Sequence, residues 1–224
     1  MSYSIAIDGP AGAGKSTIAK KVSKQLNYIY VDTGAMYRAM ALYLIHSQVN
    51  SEDKQAIASS CQYADISIEY RDGEQVVLLN GENVNAHLRT EEVGNMASVV
   101  SAVPEVRTKL VELQQALAKK TDVVMDGRDI GTVVLPDADV KVYLTASSRT
   151  RAQRRFLELQ QKGMEADLEQ IEKDIIDRDY RDMNREHSPL RQAEDAVLVD
   201  SSDMTIDEVV EKIITLWKEE CECR

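Results

Sequence analysis

Residues 9–16 read Gly9-Pro10-Ala11-Gly12-Ala13-Gly14-Lys15-Ser16, a Gly-x4-Gly-Lys-Ser loop that follows an apolar strand-like run, Tyr3 to Ile7, and precedes a helical pattern. The four fixed positions and both flanks agree, so the stretch reads as a phosphate cradle rather than a glycine-rich turn. Its glycines let main-chain N–H groups wrap a polyphosphate, Lys15 adds a mobile positive charge, and Ser16 offers an oxygen to Mg2+. The following helix aims its N-terminus at the anion.

Working outward, Ile18, Val22 and Leu26 recur every four residues and give the first helix one apolar stripe, with Lys20, Lys21 and Lys24 on its wet side. Tyr28 to Val31 is a second short apolar run, closed by Asp32-Thr33-Gly34, after which Met36, Met40, Tyr43 and Leu44 repeat with helical spacing. Between Ala64 and Val84 the texture changes: Ile66, Ile68 and Tyr70 alternate with polar residues, and Asp72-Gly73 and Asn80-Gly81 flank Val76 to Leu79. Two hairpin turns in succession predict a small antiparallel insert. From Pro104 the helical period returns in Val106, Leu110, Leu113 and Leu117. Asp122 to Met125, Val140 to Leu144 and Ala196 to Val199 then read as buried strands, separated by helices over Ser148 to Gln161 and Ala166 to Glu186, with a closing helix through Trp217. Strands alternating with helices predict an α/β protein built on a doubly wound parallel sheet.

The chain has 224 residues, 43% of them apolar, and a formal net charge of -11, which weighs against a role coating nucleic acid or a membrane surface. An anionic substrate would therefore need a local basic pocket. Cys61, Cys221 and Cys223 are an odd count without zinc-ligand spacing, and free reduced thiols are expected. His46, His87 and His187 lack metal-ligand spacing and carry no assigned role. With no signal-type leader and no apolar stretch near 20 residues, a soluble cytoplasmic protein is expected, working as a monomer.

Val123-Val124-Met125-Asp126 has the form of a strand ending in the acid that faces the magnesium of a phosphate-binding loop, and Gly127-Arg128-Asp129 adds a cation and a second carboxylate at the same sheet edge. Eight of the fourteen arginines fall between residues 149 and 191. Arg151, Arg154 and Arg155 on one helix, and Arg178, Asp182 and Arg185 on the next, are spaced to share a face, with Gly163 between the helices where a lid could turn. Guanidinium forks suit bidentate phosphate recognition, which favours a phosphate-clamping lid over a pair of solvated helices. An acceptor that is already a phosphate monoester needs positioning and charge neutralisation, with no general base.

Together these motifs resemble the bacterial cytidylate kinases, the CMP/dCMP kinases of the nucleoside monophosphate kinase family, from Ile5-Ala6-Ile7-Asp8-Gly9-Pro10 through Val199-Asp200-Ser201. The specific elements are Asp32-Thr33-Gly34-Ala35-Met36-Tyr37-Arg38, the insert, Arg89-Thr90, Asp126-Gly127-Arg128-Asp129-Ile130-Gly131-Thr132 and Arg178-Asp179-Tyr180-Arg181-Asp182. The resemblance implies the P-loop nucleoside monophosphate kinase fold over 1–224: a five-stranded parallel sheet with helices on both faces, an NMP-binding region at about 35–100 containing the insert at about 64–84, and a helical lid at about 148–165. It implies ATP and CMP or dCMP as substrates and Mg2+ as the metal. Gly9, Pro10, Ala11, Gly12, Ala13, Gly14, Lys15, Ser16 and Thr17 would hold the ATP phosphates, with Arg154 contributing to ATP binding; Ser16 would ligate Mg2+ and Asp126 would reach it through water. Lys15, Arg128 and Arg185 would serve the reaction centre, Arg38 and Arg128 the acceptor phosphate, and Thr33 and Tyr37 would flank the acceptor. Ser98, Arg107 and Asp129 would face the cytosine edge, and Asp182 with Arg178 would read the sugar.

Two other readings share the loop. A kinase for a different nucleotide or small metabolite would differ in the insert and its base-facing residues. A GTP-hydrolysing switch would carry Asn/Thr-Lys-x-Asp after a strand, and the nearest string, Lys119-Lys120-Thr121-Asp122, lacks the first residue and precedes its strand.

Overall fold

A computed structural model describes residues 2–71 and 73–222. Along the chain run β1 (Ser4–Asp8), α1 (Lys15–Leu26), β2 (Ile29–Asp32), α2 (Thr33–His46), α3 (Lys54–Cys61), β3 (Ile66–Arg71), β4 (Glu74–Leu79), β5 (Glu82–Asn83), α4 (Glu91–Val100) and α5 (Pro104–Ala118). They are followed by β6 (Val123–Gly127), a π-helical turn (Ile130–Val134), β7 (Val140–Thr145), α6 (Ser148–Gln161), α7 (Leu168–Asn184), β8 (Val197–Asp200) and α8 (Ile206–Glu222). A five-stranded parallel sheet has the order β2-β6-β1-β7-β8, and a separate three-stranded antiparallel sheet has the order β3-β4-β5. The fold is therefore the α/β arrangement expected of a P-loop kinase, with the small antiparallel insert where the alternation predicts it.

Contacts divide the chain into two compact units, one comprising Tyr3–Tyr28 and the chain from Val123 onward, the other Ile29–Asp122. In the first, β1 pairs in parallel with β6 on one side and β7 on the other. Ile5, Ala6 and Ile7 are fully shielded, and a strand covered on both faces reads as a continuous apolar run because neither face meets water. Ile18 and Val22 of α1 and Val209, Val210 and Ile213 of α8 complete this core, each such side chain contributing about 1.5–3 kcal/mol by burial. Asn27 ends α1 in the left-handed conformation, its N–H bonding the Lys24 carbonyl. At the end of α6, Gly163 takes φ +70° while its N–H reaches the Gln160 carbonyl and that of Met164 reaches Leu159, the paired closure of a Schellman turn. Gly163 thus terminates a helix, and Asp167 opens the next by capping Glu169 and Gln170.

The second unit packs Met36, Met40 and Leu44 of α2 with Ile57 of α3 and Leu110 of α5 in its own core. The hairpins follow the turn chemistry: Arg71 pairs with Glu74 across a turn in which Gly73 has φ +78°, and Leu79 pairs with Glu82 across Asn80 and Gly81, both with positive φ. Asp72, the other residue of the first predicted turn, lies outside the described residues, as does Cys223; Cys61 and Cys221 are free thiols. α3 and α4 have no counterpart in the sequence reading. α3 buries only Ile57 and Cys61, too few positions to register a period, and the signals that remain are caps: Asp53 accepts from Ala56 N–H, and Thr90 accepts from Val93 N–H before α4. Among the described residues, no helix is long and apolar enough to cross a membrane.

At the head of the loop, Gly9 has φ +147°, and a Cβ there would stand 1.9 Å from the Leu144 carbonyl oxygen on β7. Gly9→Ala is expected to lower unfolding free energy by about 3 kcal/mol or more, since the chain cannot yield without moving a central strand. Urea unfolding followed by circular dichroism measures this directly.

Candidate active site

The loop leaves β1 at the carboxyl edge of the sheet, where open α/β sheets bind ligands. Its sequence imposes a sharp course: Gly9, Gly12 and Gly14 all have positive φ, and Gly14 is the N-cap of α1. Without side chains there, the helix presents free N–H groups at its positive end. Lys15 lies within this cradle, 6% exposed, its Nζ donating to the Pro10 carbonyl at 2.8 Å. Burial, reinforced by the Arg128 guanidinium, lowers its pKa below that of an ordinary lysine, and Asp126 and Asp8 oppose the shift.

Ser16 Oγ donates to Asp126 Oδ2 at 3.0 Å, which joins the first turn of α1 to the end of β6. A hydroxyl beside a buried carboxylate is an oxygen donor set suited to Mg2+, a cation that keeps most of its ligands as water and phosphate oxygens. Among the described residues no group of three or more His, Cys, Asp or Glu side chains is placed to hold a metal.

Arg128 and Asp129 follow β6 directly. Arg128 Nε donates to Asp182 Oδ2 of α7 at 3.0 Å, with the two side chains 21% and 12% exposed. Two residues expected to serve different parts of an acceptor nucleotide therefore hold each other. Asp129 is buried. Arg178 belongs to α7, whereas Arg185 lies just past the helix in extended conformation, its Nε donating to the Ser188 carbonyl. The predicted sharing of one helical face by Arg178, Asp182 and Arg185 is thus corrected: α7 stops at Asn184, ahead of Pro189, which cannot continue a helix.

The arginines of α6 also divide. Arg151 is 5% exposed and turns inward, donating to the loop carbonyl of Ala11 at 2.9 Å, to Ala146 O at 2.9 Å and to Asp179 Oδ2 at 2.5 Å. Arg154 donates to the Ser201 carbonyl at 2.7 Å, and Arg155 pairs with Glu158 on the exposed side. Each guanidinium of the three thus meets a different neighbour: the loop and α7 for Arg151, the Ser201 carbonyl for Arg154 and Glu158 for Arg155.

In the second unit, Asp32 caps α2 by accepting from Ala35 N–H at 2.9 Å, and Gln75 holds the main chain of Asp32 by accepting from its N–H at 2.7 Å and donating to its carbonyl at 3.3 Å. Thr33 is buried beside this cap. Arg38 sits one turn on, and its Nη1 would lie 3.3 Å from a Cβ at Gly34, so glycine leaves room for the guanidinium. Tyr37 stacks beneath Arg107, whose Cζ is 5.6 Å from the ring centroid and whose Nη1 donates to Ser101 O at 3.2 Å. Ser98, half-buried on α4, accepts from the Ser101 hydroxyl through its carbonyl at 2.9 Å.

Asp8, which the sequence reading leaves without a role, is central to the geometry of the first unit. It is 5% exposed, and its two oxygens accept the Ile130 and Gly131 N–H groups at 2.7 Å each. The available signal was a lone acid closing an apolar strand immediately before the loop.

A glycine-lined cradle at the end of a central parallel strand, a buried lysine within it and a hydroxyl–carboxylate pair beside it define a P-loop phosphotransferase. The cytidylate kinase family profile matches residues 5–219. Cytidylate kinases from Caldicellulosiruptor saccharolyticus and Lactobacillus johnsonii are each 53% identical to this chain, covering 95% and 93% of it and 94% and 91% of their own lengths. The chain belongs to the cytidylate kinase family. A solved structure of an uncharacterized protein from Eubacterium ventriosum, 14% identical, aligns over 96% of this chain and 97% of its own with a TM-score of 0.51, a likeness of fold alone.

Burial raises the Asp8 carboxyl to about 6, with the Gly131 and Ile130 N–H groups pulling the other way. Its pKa in the folded protein is thus above the unfolded value, so the folded state binds the extra proton and gains stability as pH falls from about 7 toward 4. The stability of the wild type relative to Asp8→Asn is expected to rise over that interval, by on the order of 3 kcal/mol at most. Urea unfolding of both proteins at a series of pH values checks the sign.

Proposed function

We propose that this protein transfers the terminal phosphoryl group of ATP to CMP and dCMP, giving ADP with CDP or dCDP. The observation that carries the reading is the buried Lys15 in its glycine cradle beside the Ser16–Asp126 pair, in a chain that belongs along nearly its whole length to the cytidylate kinase family. Main-chain N–H groups of Gly9 and of Ala11 to Thr17 and the Lys15 ammonium bind the donor phosphates, with Pro10 shaping the loop and Arg154 contributing on the donor side. Ser16, with Asp126 through water, would hold Mg2+, which when bound neutralises charge on the donor phosphates.

The acceptor phosphate is bound by Arg38 and Arg128. Release of Arg128 from Asp182 would free a planar fork for two phosphate oxygens and a carboxylate for the sugar hydroxyl, with Arg178 beside it. Thr33 and Tyr37 flank the acceptor. Its oxygen is anionic near neutral pH and attacks in line without a general base, while Lys15, Arg128 and Arg185 stabilise charge spreading over the transferring group. Excluding water from the closed site suppresses simple hydrolysis, and α6 with the segment to about 165 is the lid in this reading.

Cytosine offers an amino donor beside a ring-nitrogen acceptor, and uracil reverses that pattern. A carboxylate at Asp129 together with the Ser98 hydroxyl and the Arg107 guanidinium would therefore pair with cytosine and be left unpaired by uracil. The net charge of -11 supports an enzyme acting on free nucleotides and not on nucleic acid or membranes; a cytoplasmic monomer is the form proposed.

The deciding experiment measures ADP formation from Mg-ATP with CMP, dCMP, UMP, dTMP, AMP, GMP or no acceptor. Turnover confined chiefly to CMP and dCMP is expected; another preferred nucleotide overturns the base assignment, and acceptor-independent hydrolysis overturns the kinase reading. Lys15→Ala should lose about a thousandfold or more in rate with every acceptor, because it removes charge opposite the transferred phosphoryl. Asp129→Ala should instead reduce the preference for CMP over UMP, and an equal loss for both would remove Asp129 from the base pocket.

A further inference from the structure

The turn that follows β6 carries two of the residues assigned above to the acceptor, and little in its own sequence fixes its course. Arg128 and Asp129 precede the π-helical turn Ile130–Val134, and Asp129 has φ -148° and ψ 28°, outside any regular element. Its carbonyl takes the Val133 and Val134 N–H groups and that of Ile130 takes Leu135 N–H, so the turn closes on itself downstream. Upstream, the N–H groups of Ile130 and Gly131 point back to Asp8, one to each carboxylate oxygen. Asp8 itself cannot shift: its main chain is in register with Gly127 on one side and Tyr143 on the other, and Gly9 behind it is pressed against the Leu144 carbonyl. The far side of the turn is equally constrained. A Cβ on Gly131 would stand 3.4 Å from Asp8 Oδ2 and 3.2 Å from Lys141 Cδ, and Lys141 is tied by its Nζ to Asp195 and to the Pro136 carbonyl.

We infer that Asp8 is a positioning residue for the acceptor nucleotide: by accepting two successive main-chain N–H groups, its carboxylate sets the direction in which Arg128 and Asp129 leave β6, and so couples the strand bearing the donor loop to recognition of the acceptor. This rests on the assignment of Arg128 and Asp129 to the acceptor. A neutral amide cannot replace the carboxylate, since Asn offers one acceptor oxygen and turns an NH2 group toward the second N–H, a donor facing a donor.

The test is steady-state kinetics of Asp8→Asn with ATP and with CMP and UMP varied in turn, alongside Asp129→Ala and an unfolding curve for each. Expected for Asp8→Asn is a rise of about tenfold or more in the KM for CMP and a reduced CMP-over-UMP preference, with a distinctly smaller change in the KM for ATP that reflects the Asp8 charge facing Lys15, as follows from misplacing a recognition group by a fraction of an ångström. Asp8→Glu, which keeps both acceptor oxygens but carries them one methylene further from the Ile130 and Gly131 N–H groups, should give the same split, and it decides the matter if Asp8→Asn does not fold. Unchanged KM values for both nucleotides, an equal rise in both, or lost stability with normal kinetics of the folded enzyme overturns the inference. If Asp129→Ala keeps full base preference, the base-pocket assignment fails and Asp8 is judged on the KM for CMP alone; if Asp129→Ala loses preference while Asp8→Asn retains it with a normal KM for CMP, Asp8 alone is overturned.

Discussion

Charge withdrawn from water at the end of β1 is the constraint that orders the rest of the first unit. Asp8, Lys15, Asp126 and Asp129 are all nearly inaccessible, although each would be strongly hydrated if free. Apolar packing cannot satisfy such groups, so neighbours must be brought to them at hydrogen-bond distance. Ile130 and Gly131 come to Asp8, Pro10 to Lys15 and Ser16 to Asp126. The apolar sheet beneath is what makes this arrangement sustainable: β1 between β6 and β7 supplies a rigid floor whose burial offsets the desolvation above it.

The same economy explains the arginines of α6 and α7. A guanidinium has five N–H donors and an immediate appetite for carbonyl and carboxylate oxygen. Arg151 finds three such partners, one of them the donor loop itself at Ala11, and so acts as a strut between the loop and α7. Arg128 and Asp182 pair with each other, each meeting in a largely buried setting the charge it would otherwise lack.

What could be read from the sequence were the features set by local periodicity or local sterics. Ile18 and Val22 mark α1 because a helix repeats every 3.6 residues, and Asn80-Gly81 marks a hairpin because few residues accept positive φ. The loop from Gly9 to Ser16 was legible for the same reason, its glycines marking positions of positive φ. Partnerships between distant residues were not legible. Nothing near Asp8 announces that its carboxylate meets amides from residues 130 and 131, and the spacing of Arg151, Arg154 and Arg155 says which face they leave from but not which acceptor each finds. Gln75, which fixes the Asp32 cap from the insert, is equally anonymous in sequence. Short helices such as α3 escaped because two buried positions make no period.

The placement of β1 has a consequence for how the chain comes into being. Its two flanking strands, β6 and β7, lie beyond the whole of Ile29–Asp122, so a fully buried strand is made well before the strands that pair with it. On the ribosome, Ile5, Ala6 and Ile7 emerge long before the strands that will cover them, while the β3–β4–β5 meander is complete as soon as it is synthesised. The nascent chain must therefore shelter that strand until β6 and β7 follow.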